Sequence, residues 1–392
     1  MTLRKIIFWP HLVAGVLASI VVLIMSVTGV LLMYERQINE WANRDYRAEP
    51  PSSDKERLPV GILLDKVSDA RPDFRPSSVT FRPDPTAPVE LGMGRGRRLY
   101  ANRYTGEVLG EGSEAARSFF RTITNWHRWL GMSGEGRKTG RAITGAFNLS
   151  FLFLIVSGFY LWWPKTWTLD SLRRITWFHS GLRGKARDFN WHHVFGFWMA
   201  IPLFIIVLSG VVISYPWATA LVYRVTGSEP PQRRSRAAAV SKPQPKSKKQ
   251  NSGENGNNGD DSAHSHSETQ PDLDRLLGLV QQEAPSWRSI TLRVPEASGQ
   301  PVSFSVDLSP GGQPAKSFDL TLDSETGEVV SRRTYQDRNP GNRLWIWLRF
   351  AHTGEVYGFV GQTIAGLASA AAILLVWTGV ALSWRRFFPK RQ

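Results

Sequence analysis

The sequence predicts an α-helical membrane protein with four transmembrane helices, which arise from an internal duplication and carry two external α+β domains. Three observations indicate this class. Four long segments contain no Asp, Glu, Lys or Arg. The sequence Thr-Gly-Glu-Val occurs in each of the two longest loops between them. A histidine motif also occurs twice at identical internal spacing, at the start of the first and the third long segments.

The four uncharged segments are long enough to cross a bilayer. A spanning helix needs about 20 apolar residues. The first segment is too long for a signal peptide and lacks a clear small-residue cleavage site, so we predict an uncleaved helix. Tryptophans lie at segment ends, where they anchor helices in the membrane interface. The predicted spans are 12–34, 142–163, 194–223 and 356–384.

The composition narrows the chemistry that is available to a cofactor site. The 392 residues include no cysteine, which excludes disulfides, thiolate-bound iron–sulfur clusters and covalently attached c-type haem. A metal or haem must therefore be held by other side chains, histidine above all. The net charge of +15 would suit nucleic acid, but the long apolar segments and 16 tryptophans favour a membrane protein. We predict a lipid environment and no nucleic-acid partner.

The short segments between the predicted spans carry the basic residues that set orientation. Lysines and arginines precede the first span, occur throughout the 164–193 loop and follow the last span. Under the positive-inside rule, these segments and both termini are cytoplasmic. The two long loops, 35–141 and 272–355, are then external.

Each external loop has the pattern of a small α+β domain. In both, a helical pattern precedes alternating, strand-like runs, and the Thr-Gly-Glu-Val sequence supplies a turn. The predicted helices are Val60–Ala70 and 273–284. The segment 224–271 is rich in Pro, Ser, Lys, Asn and Gly and has few large apolar residues. We predict that it is a disordered insertion before the second domain.

The two halves of the chain repeat at a nearly constant offset. Ser157 and Thr378, each followed by glycine, lie 221 residues apart, as do Thr105 and Thr326 of the Thr-Gly-Glu-Val turns. His127 and His352 are separated by 225 residues. Both copies begin on the same side of the membrane, so the repeats are parallel and related by an axis along the membrane normal. Such symmetry favours a shared site inside the bilayer.

The histidine motif places one imidazole near the same membrane face on each of two helices. A glycine follows each histidine by four residues, and a hydroxyl–glycine pair comes later. Two imidazoles that face each other across a bundle can fill both axial positions of a haem iron, and the nearby glycine leaves room for the porphyrin. The two copies are His11, Gly15, Thr28 and Gly29, and His192, Gly196, Ser209 and Gly210.

The duplication predicts a second pair at the external face, formed by His127 and His352. Gly131 repeats the four-residue spacing after His127. Ionisable groups at membrane depth are costly and mark functional sites. We therefore predict two non-covalent haem groups with bis-histidine ligation. His11 and His192 hold the cytoplasmic-side haem, and the second pair holds the external one.

Plainer interpretations remain open for each of these residues. A single interfacial histidine is commonly a polar anchor, and the glycines beside hydroxyls also suit close helix packing. Arg128 and Arg349 flank the outer histidines and can pair with haem propionates or with lipid headgroups. His193 lies one residue off the repeat. His179 can serve as a substitute inner ligand, a hydrogen-bond partner or a loop residue.

No sequence motif predicts a nucleotide cofactor that the chain binds by itself. The G-x-G-x-x-G and P-loop motifs are absent, as are the motifs of serine hydrolases and zinc proteases. The electron donor must therefore be a separate or diffusible cytoplasmic molecule, whose identity the sequence leaves open.

Several of these segments together resemble the PepSY-associated transmembrane family. They are the two His-x-x-x-Gly spans, the Thr-Gly-Glu-Val turns and the stretches 127–131, 157–164 and 190–192. The likeness covers nearly the whole chain except 224–271. The likeness implies that the two external loops are periplasmic PepSY-like domains. It also implies a bacterial inner-membrane location and two b-type haems. Some members are ferric-siderophore reductases, which pass electrons from cytoplasm to periplasm and release iron as Fe(II).

The resemblance predicts a haem-dependent ferric-chelate reductase with both termini in the cytoplasm. Its partners would be a ferric siderophore or other ferric chelate in the periplasm and an unidentified cytoplasmic electron donor. One alternative is a membrane-anchored PepSY module that binds a peptide or protein, or has a regulatory role, without redox activity. A second alternative is a transporter, which four spans without a charged residue do not favour.

Overall fold

The computed structural model describes residues 2–49, 52, 56–164, 167–230, 271–297 and 299–388. Within these ranges the chain forms helices α1 (Leu3–Leu32), α2 (Glu35–Ala42), α3 (Val60–Ala70), α4 (Glu114–Trp129), α5 (Gly136–Trp162), α6 (Leu169–Thr176), α7 (Gly184–Ser214), α8 (Pro216–Val225), α9 (Leu273–Glu283), α10 (Pro340–His352) and α11 (Gly358–Phe387). The strands are β1 (Ser78–Phe81), β2 (Val89–Met93), β3 (Arg97–Ala101), β4 (Val108–Gly110), β5 (Ser289–Arg293), β6 (Val302–Asp307), β7 (Ser317–Leu322) and β8 (Val329–Thr334).

Four of the described helices are long and apolar enough to cross a membrane. They are α1, α5, α7 and α11, and their most apolar stretches have mean hydropathies between 1.8 and 2.5. Each packs against two neighbours, in the order α1, α5, α7, α11 and back to α1. Helix α1 therefore lies diagonally opposite α7, and α5 lies diagonally opposite α11. The number of predicted spans is confirmed.

The third spanning helix differs from its predicted limits of 194–223. Helix α7 begins at Gly184, so the last part of the predicted 164–193 loop is already helical. The helix ends at Ser214, and Pro216 starts α8 after one extended residue. Proline has no N–H to continue a helix and disfavours helical dihedrals in the residue before it. The predicted limits followed hydropathy, which does not register this break.

The other spanning helices extend beyond their apolar cores. Helix α1 starts at Leu3, α5 starts at Gly136, and α11 continues to Phe387. The added turns carry charged residues, which can extend into the headgroup region while the backbone stays helical. The predicted insertion 224–271 begins with the last turn of α8, and residues 231–270 lie outside the described residues.

The N-terminal end of α1 and the C-terminal end of α11 meet at one end of the bundle, here termed the terminal end. The Arg386 guanidinium lies 4.8 Å from the ring centroid of Phe8 and 5.0 Å from that of Trp9. Helix α1 leads into the strands at its C-terminal end, and α11 follows them at its N-terminal end. The strands therefore lie at the opposite end of the bundle, here termed the sheet end.

The two long loops form one continuous sheet, which corrects the prediction of two separate domains. Its eight strands are antiparallel in the order β4-β3-β2-β1-β5-β6-β7-β8, and β1 pairs with β5 at the centre. At this junction Thr80 lies opposite Thr291, and their hydroxyl oxygens are 2.9 Å apart. Helices α3 and α9 pack against the sheet, and a single core contains residues from both halves, such as Leu91 and Ile290. Each half nevertheless contains its predicted helix and strands.

The Thr-Gly-Glu-Val sequences at 105–108 and 326–329 form the predicted turns, and a third copy at 353–356 lies between α10 and α11. Gly106 and Gly327 both have φ of +76°, a conformation that glycine adopts without strain. Asn102 and Asp323 open the two turns, and the Oδ1 atom of each accepts two backbone N–H groups of its turn. The two turns are therefore built alike, although they lie in different halves of the chain.

Candidate functional site

Two histidines near the terminal end are held by hydroxyl groups from neighbouring helices. The Nδ1 atom of His11 lies 2.8 Å from the Ser157 hydroxyl on α5. The Nδ1 atom of His192 lies 2.9 Å from the Thr378 hydroxyl on α11. The two histidines belong to α1 and α7, which are diagonally opposite in the bundle.

Two further histidines repeat this arrangement at the sheet end. His127, near the end of α4, has its Nδ1 atom 2.9 Å from the Thr28 hydroxyl on α1. His352, the last residue of α10, has its Nδ1 atom 3.2 Å from the Ser209 hydroxyl on α7 and 2.9 Å from the carbonyl oxygen of Ile206. Helices α1 and α7 therefore each carry a histidine at one end and support another histidine at the other.

The hydroxyl groups leave one protonation pattern for the imidazoles. Ser157 and Thr378 donate to carbonyl oxygens one turn earlier in their own helices, at 2.6 and 2.7 Å. Thr28 and Ser209 donate in the same way. A hydroxyl has one proton, so its oxygen accepts from the histidine, whose Nδ1 is then protonated. The Nε2 lone pair of each ring is consequently free to bind a metal.

A glycine follows each hydroxyl residue and lies beside the edge of the imidazole, although only at Gly158 would the ring crowd an added Cβ atom. A Cβ atom added at Gly158 would lie 3.2 Å from Cε1 of His11, and one at Gly210 would lie 3.4 Å from Cε1 of His352. The equivalent distances are 3.5 Å at Gly379 and 3.9 Å at Gly29. We term each hydroxyl–glycine pair a seat. The four seats are Ser157-Gly158 for His11, Thr378-Gly379 for His192, Thr28-Gly29 for His127 and Ser209-Gly210 for His352.

The outer histidines lie at the separation that a shared metal requires. The ring centroids of His127 and His352 are 6.2 Å apart, with 60° between the ring planes. A metal–imidazole bond is about 2 Å long, so two imidazoles on opposite sides of one metal have centroids about 6 Å apart. The two rings can therefore bind a single ion between them.

Burial keeps the outer imidazoles neutral. Removal from water lowers the pKa of His127 to about 4, and the charge of His352 acts in the same direction. Removal from water also lowers the pKa of His352, helped by the charge of Arg349. Neutral imidazole is the form that binds a metal, so both rings are ready to do so at neutral pH.

The set of donor atoms suits haem better than a bare metal ion. Throughout the described ranges, no group of three or more His, Asp or Glu side chains forms a possible metal site. Each histidine pair therefore supplies two ligands, whereas zinc sites need three or four. A porphyrin brings its own four nitrogens and needs only axial ligands from the protein. The residues that are present fit a bis-histidine haem.

The three glycines predicted to make room for haem fall into two groups. A Cβ at Gly15 would meet one leucine atom at 3.7 Å, and a Cβ at Gly196 would meet one at 3.8 Å. These are ordinary contact distances, so helix packing does not require glycine at either position. Gly131 differs, because it has φ of +77° just beyond the end of α4. The end of the helix accounts for Gly131 without a cofactor.

The arginines that flank the outer pair contribute a cationic surface at the sheet end. Arg128 stacks over Trp129 at 4.8 Å, and Arg349 lies over Phe350 at 5.5 Å. Removal from water lowers the pKa of Arg128, and the charges of Arg141 and Arg349 lower it further. The ion pairs of the described residues include none of the three arginines. Haem propionates, headgroups or an anionic substrate would all be attracted here.

The two other described histidines have no such seat. The Nδ1 atom of His193 donates to the carbonyl oxygen of Phe189 in its own helix at 2.9 Å, and its ring packs on that phenylalanine. The Nδ1 atom of His179 lies 3.1 Å from the carbonyl oxygen of Trp177, in the loop before α7. The geometry therefore favours His11 and His192 as the inner pair.

Asp188 is a residue of this region that the sequence analysis missed. It is fully buried one turn before His192 and pairs with Arg187 and with Arg385 of α11. The ion pair between Asp188 and Arg385 joins α7 to α11 on the same helix that carries the Thr378 seat. Its signal was the four-residue spacing from Asp188 to His192, which places both side chains on one helix face. Hydropathy does not reveal this residue, because the predicted span of 194–223 begins after it.

Comparison with known families agrees with this architecture. A sequence profile of the PepSY-associated TM region matches residues 8–386, which include all four seats and the shared sheet. No curated protein shows significant sequence similarity to the chain. Because the profile spans nearly the full length, the chain belongs to the PepSY-associated transmembrane family.

Proposed function

We propose that this protein is a membrane electron-transfer enzyme that holds two b-type haems and reduces a ferric chelate, specifically a ferric siderophore. The observation that carries the proposal is the fourfold recurrence of the histidine seat, in two pairs at opposite ends of one bundle. One buried histidine needs no special explanation. Four histidines with the same Nδ1 partner and a free Nε2 atom are typical of ligands with an ordered outer shell.

The two pairs are far enough apart to serve opposite membrane faces. On α1, His11 and Thr28 are 17 residues apart, which is about 25 Å of helix at 1.5 Å per residue. Thr28 seats His127, so the two pairs are separated by most of a hydrocarbon core of about 30 Å. Helix α7 has the same spacing between His192 and Ser209.

When bound, haem supplies a one-electron carrier at each position. The four seated histidines would hold the haems, because each seat fixes both the tautomer and the orientation of its ring. The apolar helices exclude water from the space between the pairs.

The direction of transfer follows from the charge distribution. The terminal end is rich in arginine and lysine, which supports a cytoplasmic location for it under the positive-inside rule. The sheet end is then periplasmic. The acceptor there is attracted by three arginines, Arg128, Arg141 and Arg349. They favour an anionic acceptor, such as an Fe(III) chelate whose oxygen ligands carry more negative charge than the iron carries positive charge. One electron converts Fe(III) to Fe(II), which oxygen chelators bind less tightly and release.

Anaerobic reoxidation of the reduced protein tests the substrate assignment. The purified protein is reduced, freed of reductant, and mixed with a ferric siderophore and a dye specific for Fe(II). We expect Fe(II) in proportion to the electrons stored by the protein. The gallium(III) complex is the matched control, since it has the same charge and shape but is not reduced. A protein that stays reduced with every ferric chelate would contradict reductase activity.

A further inference from the structure

A pocket of about 900 Å³ opens at the terminal end of the bundle, in the connection between α5 and α7. Its volume is within the range of sites that bind small molecules. None of the four histidine seats contributes to it. Its lining includes Asp170, Arg173, Arg174, Trp177, Phe178 and His179.

The buried side chain of Asn190 holds the loop that lines this pocket. Its Nδ2 atom donates to the carbonyl oxygens of Arg174 at 3.1 Å and Trp177 at 3.0 Å. Its Oδ1 atom accepts from the backbone N–H of His179 at 3.2 Å. Asn190 comes two residues before His192 on α7. The pocket is therefore fixed to the helix that carries one of the inner histidines.

The two arginines of the pocket have no carboxylate partner among the described residues. Arg174 donates through Nε to the backbone carbonyl of Asp170 at 3.2 Å. The buried carboxylate at this end of the bundle, Asp188, is paired with other arginines. Two guanidinium groups that line one pocket and form no ion pair with any described residue are suited to a phosphate.

Aromatic rings border the same pocket. The side chains of Trp177 and Phe178 are 63% and 53% exposed. Phe178 is held in place by an edge contact with Phe195, with 5.1 Å between centroids. An exposed indole face stacks on a planar ring, and the Asp170 carboxylate accepts from hydroxyl or N–H groups. The pocket thus combines a stacking surface, a phosphate-binding pair and an acceptor.

We propose that this pocket binds a planar aromatic redox nucleotide with one phosphate, of the flavin mononucleotide class, as the diffusible electron donor. The inference rests on the proposed function, which requires a donor near His11 and His192. Arg173 and Arg174 hold the phosphate, and Trp177 stacks on the ring system. One reduced flavin and two ferric chelates give one oxidised flavin, two Fe(II) and two protons, and the open pocket releases the protons to water.

Binding of oxidised flavin mononucleotide to the purified full-length protein in nanodiscs tests this site. We expect quenching of flavin fluorescence on binding. Riboflavin, which lacks the phosphate, and inorganic phosphate, which lacks the ring, should bind at least roughly tenfold more weakly. Combined Arg173→Gln and Arg174→Gln substitution should weaken the binding of flavin mononucleotide by at least about tenfold. Trp177→Leu should also weaken this binding. Arg183→Gln, in the same loop but outside the lining, is the matched control and should bind normally.

Equal binding of flavin mononucleotide and inorganic phosphate would overturn the inference, as would undiminished binding by the double arginine variant. Loss of flavin binding in nanodiscs that contain phosphatidylglycerol would show that the arginines serve lipid headgroups instead. The haem spectrum of each preparation separates the two proposals. Flavin binding by a protein without a bis-imidazole spectrum would contradict the proposed function alone, and that spectrum without flavin binding would contradict the pocket alone.

Discussion

The imidazole rings of His127 and His352 lie with their centroids 6.2 Å apart at the sheet end of the bundle. Neither residue belongs to a spanning helix. The short helices α4 and α10 bring them against α1 and α7. There the hydroxyl oxygens of Thr28 and Ser209 accept hydrogen bonds from their Nδ1 atoms. Each half of the chain contributes one ring, so the pair forms only when both halves are assembled.

Removal of either outer histidine should remove one haem and spare the other. In His127→Ala or His352→Ala protein, one iron loses an axial ligand while His11 and His192 remain intact. We expect one haem per chain instead of two, as measured by haem extraction and protein quantification. Selective loss of the outer haem in His11→Ala protein would instead show that His11 does not form the inner pair with His192.

The seat hydroxyls should govern how firmly the inner haem is held. Ser157→Ala removes the group that orients His11 and leaves the ligand itself in place. Loss of such an outer-shell partner costs about 10- to 100-fold in affinity, which the rate of haem transfer to an apo-globin measures. Ser150→Ala on the same helix is the control, because Ser150 donates to the carbonyl of Ala146 in its own helix and contacts no histidine. Equal transfer rates for the two variants would refute a role for the seat.

Gly140 allows the end of α4 to approach α5 closely. A Cβ atom there would overlap the backbone carbonyl of Trp129, which cannot move without its helix. Gly140→Ala should therefore displace His127 and lower the occupancy of the outer haem, while the inner haem keeps its spectrum. Gly61→Ala is the matched control, since a Cβ at Gly61 meets no atom within 4 Å. A Gly140→Ala protein with two normal haems would contradict this packing.

The shared sheet should respond as one unit to a change in either half. Leu292 on β5 is fully buried opposite Val79 of β1. Leu292→Ala should cost about 2–5 kcal/mol through lost burial and a cavity. Hydrogen exchange should then accelerate in β2 and β3 of the first half as well as in β6 and β7. Val330→Ala on the exposed edge strand is the control. Faster exchange confined to the second half would indicate two independent domains.

Hydropathy and the internal offset made much of the candidate site predictable. His11 and His192 begin equivalent apolar segments, so their pairing required only the topology of the spans. The duplication also predicts the pairing of His127 and His352, although they are 225 residues apart and the other repeated positions are 221 apart. The Ser/Thr-Gly pairs were also visible as a repeat, but their contact with histidines of other helices depends on how the helices pack.

Other features depend on contacts that local patterns do not contain. The pairing of Thr80 with Thr291 joins strands from different loops, and each strand alone is compatible with a separate domain. The break before Pro216 is invisible to hydropathy, because the residues on both sides are apolar. Asn190 is an ordinary polar residue in the sequence, and its hydrogen bonds to the preceding loop depend on how that loop folds.

The haem content and the reduced-minus-oxidised absorption spectrum of the purified full-length protein test the central claim most directly. Two pairs of seated histidines, each with free Nε2 atoms, predict two haem b groups per chain with low-spin bis-imidazole spectra. A colourless, haem-free protein from cells that are replete with haem would contradict the account.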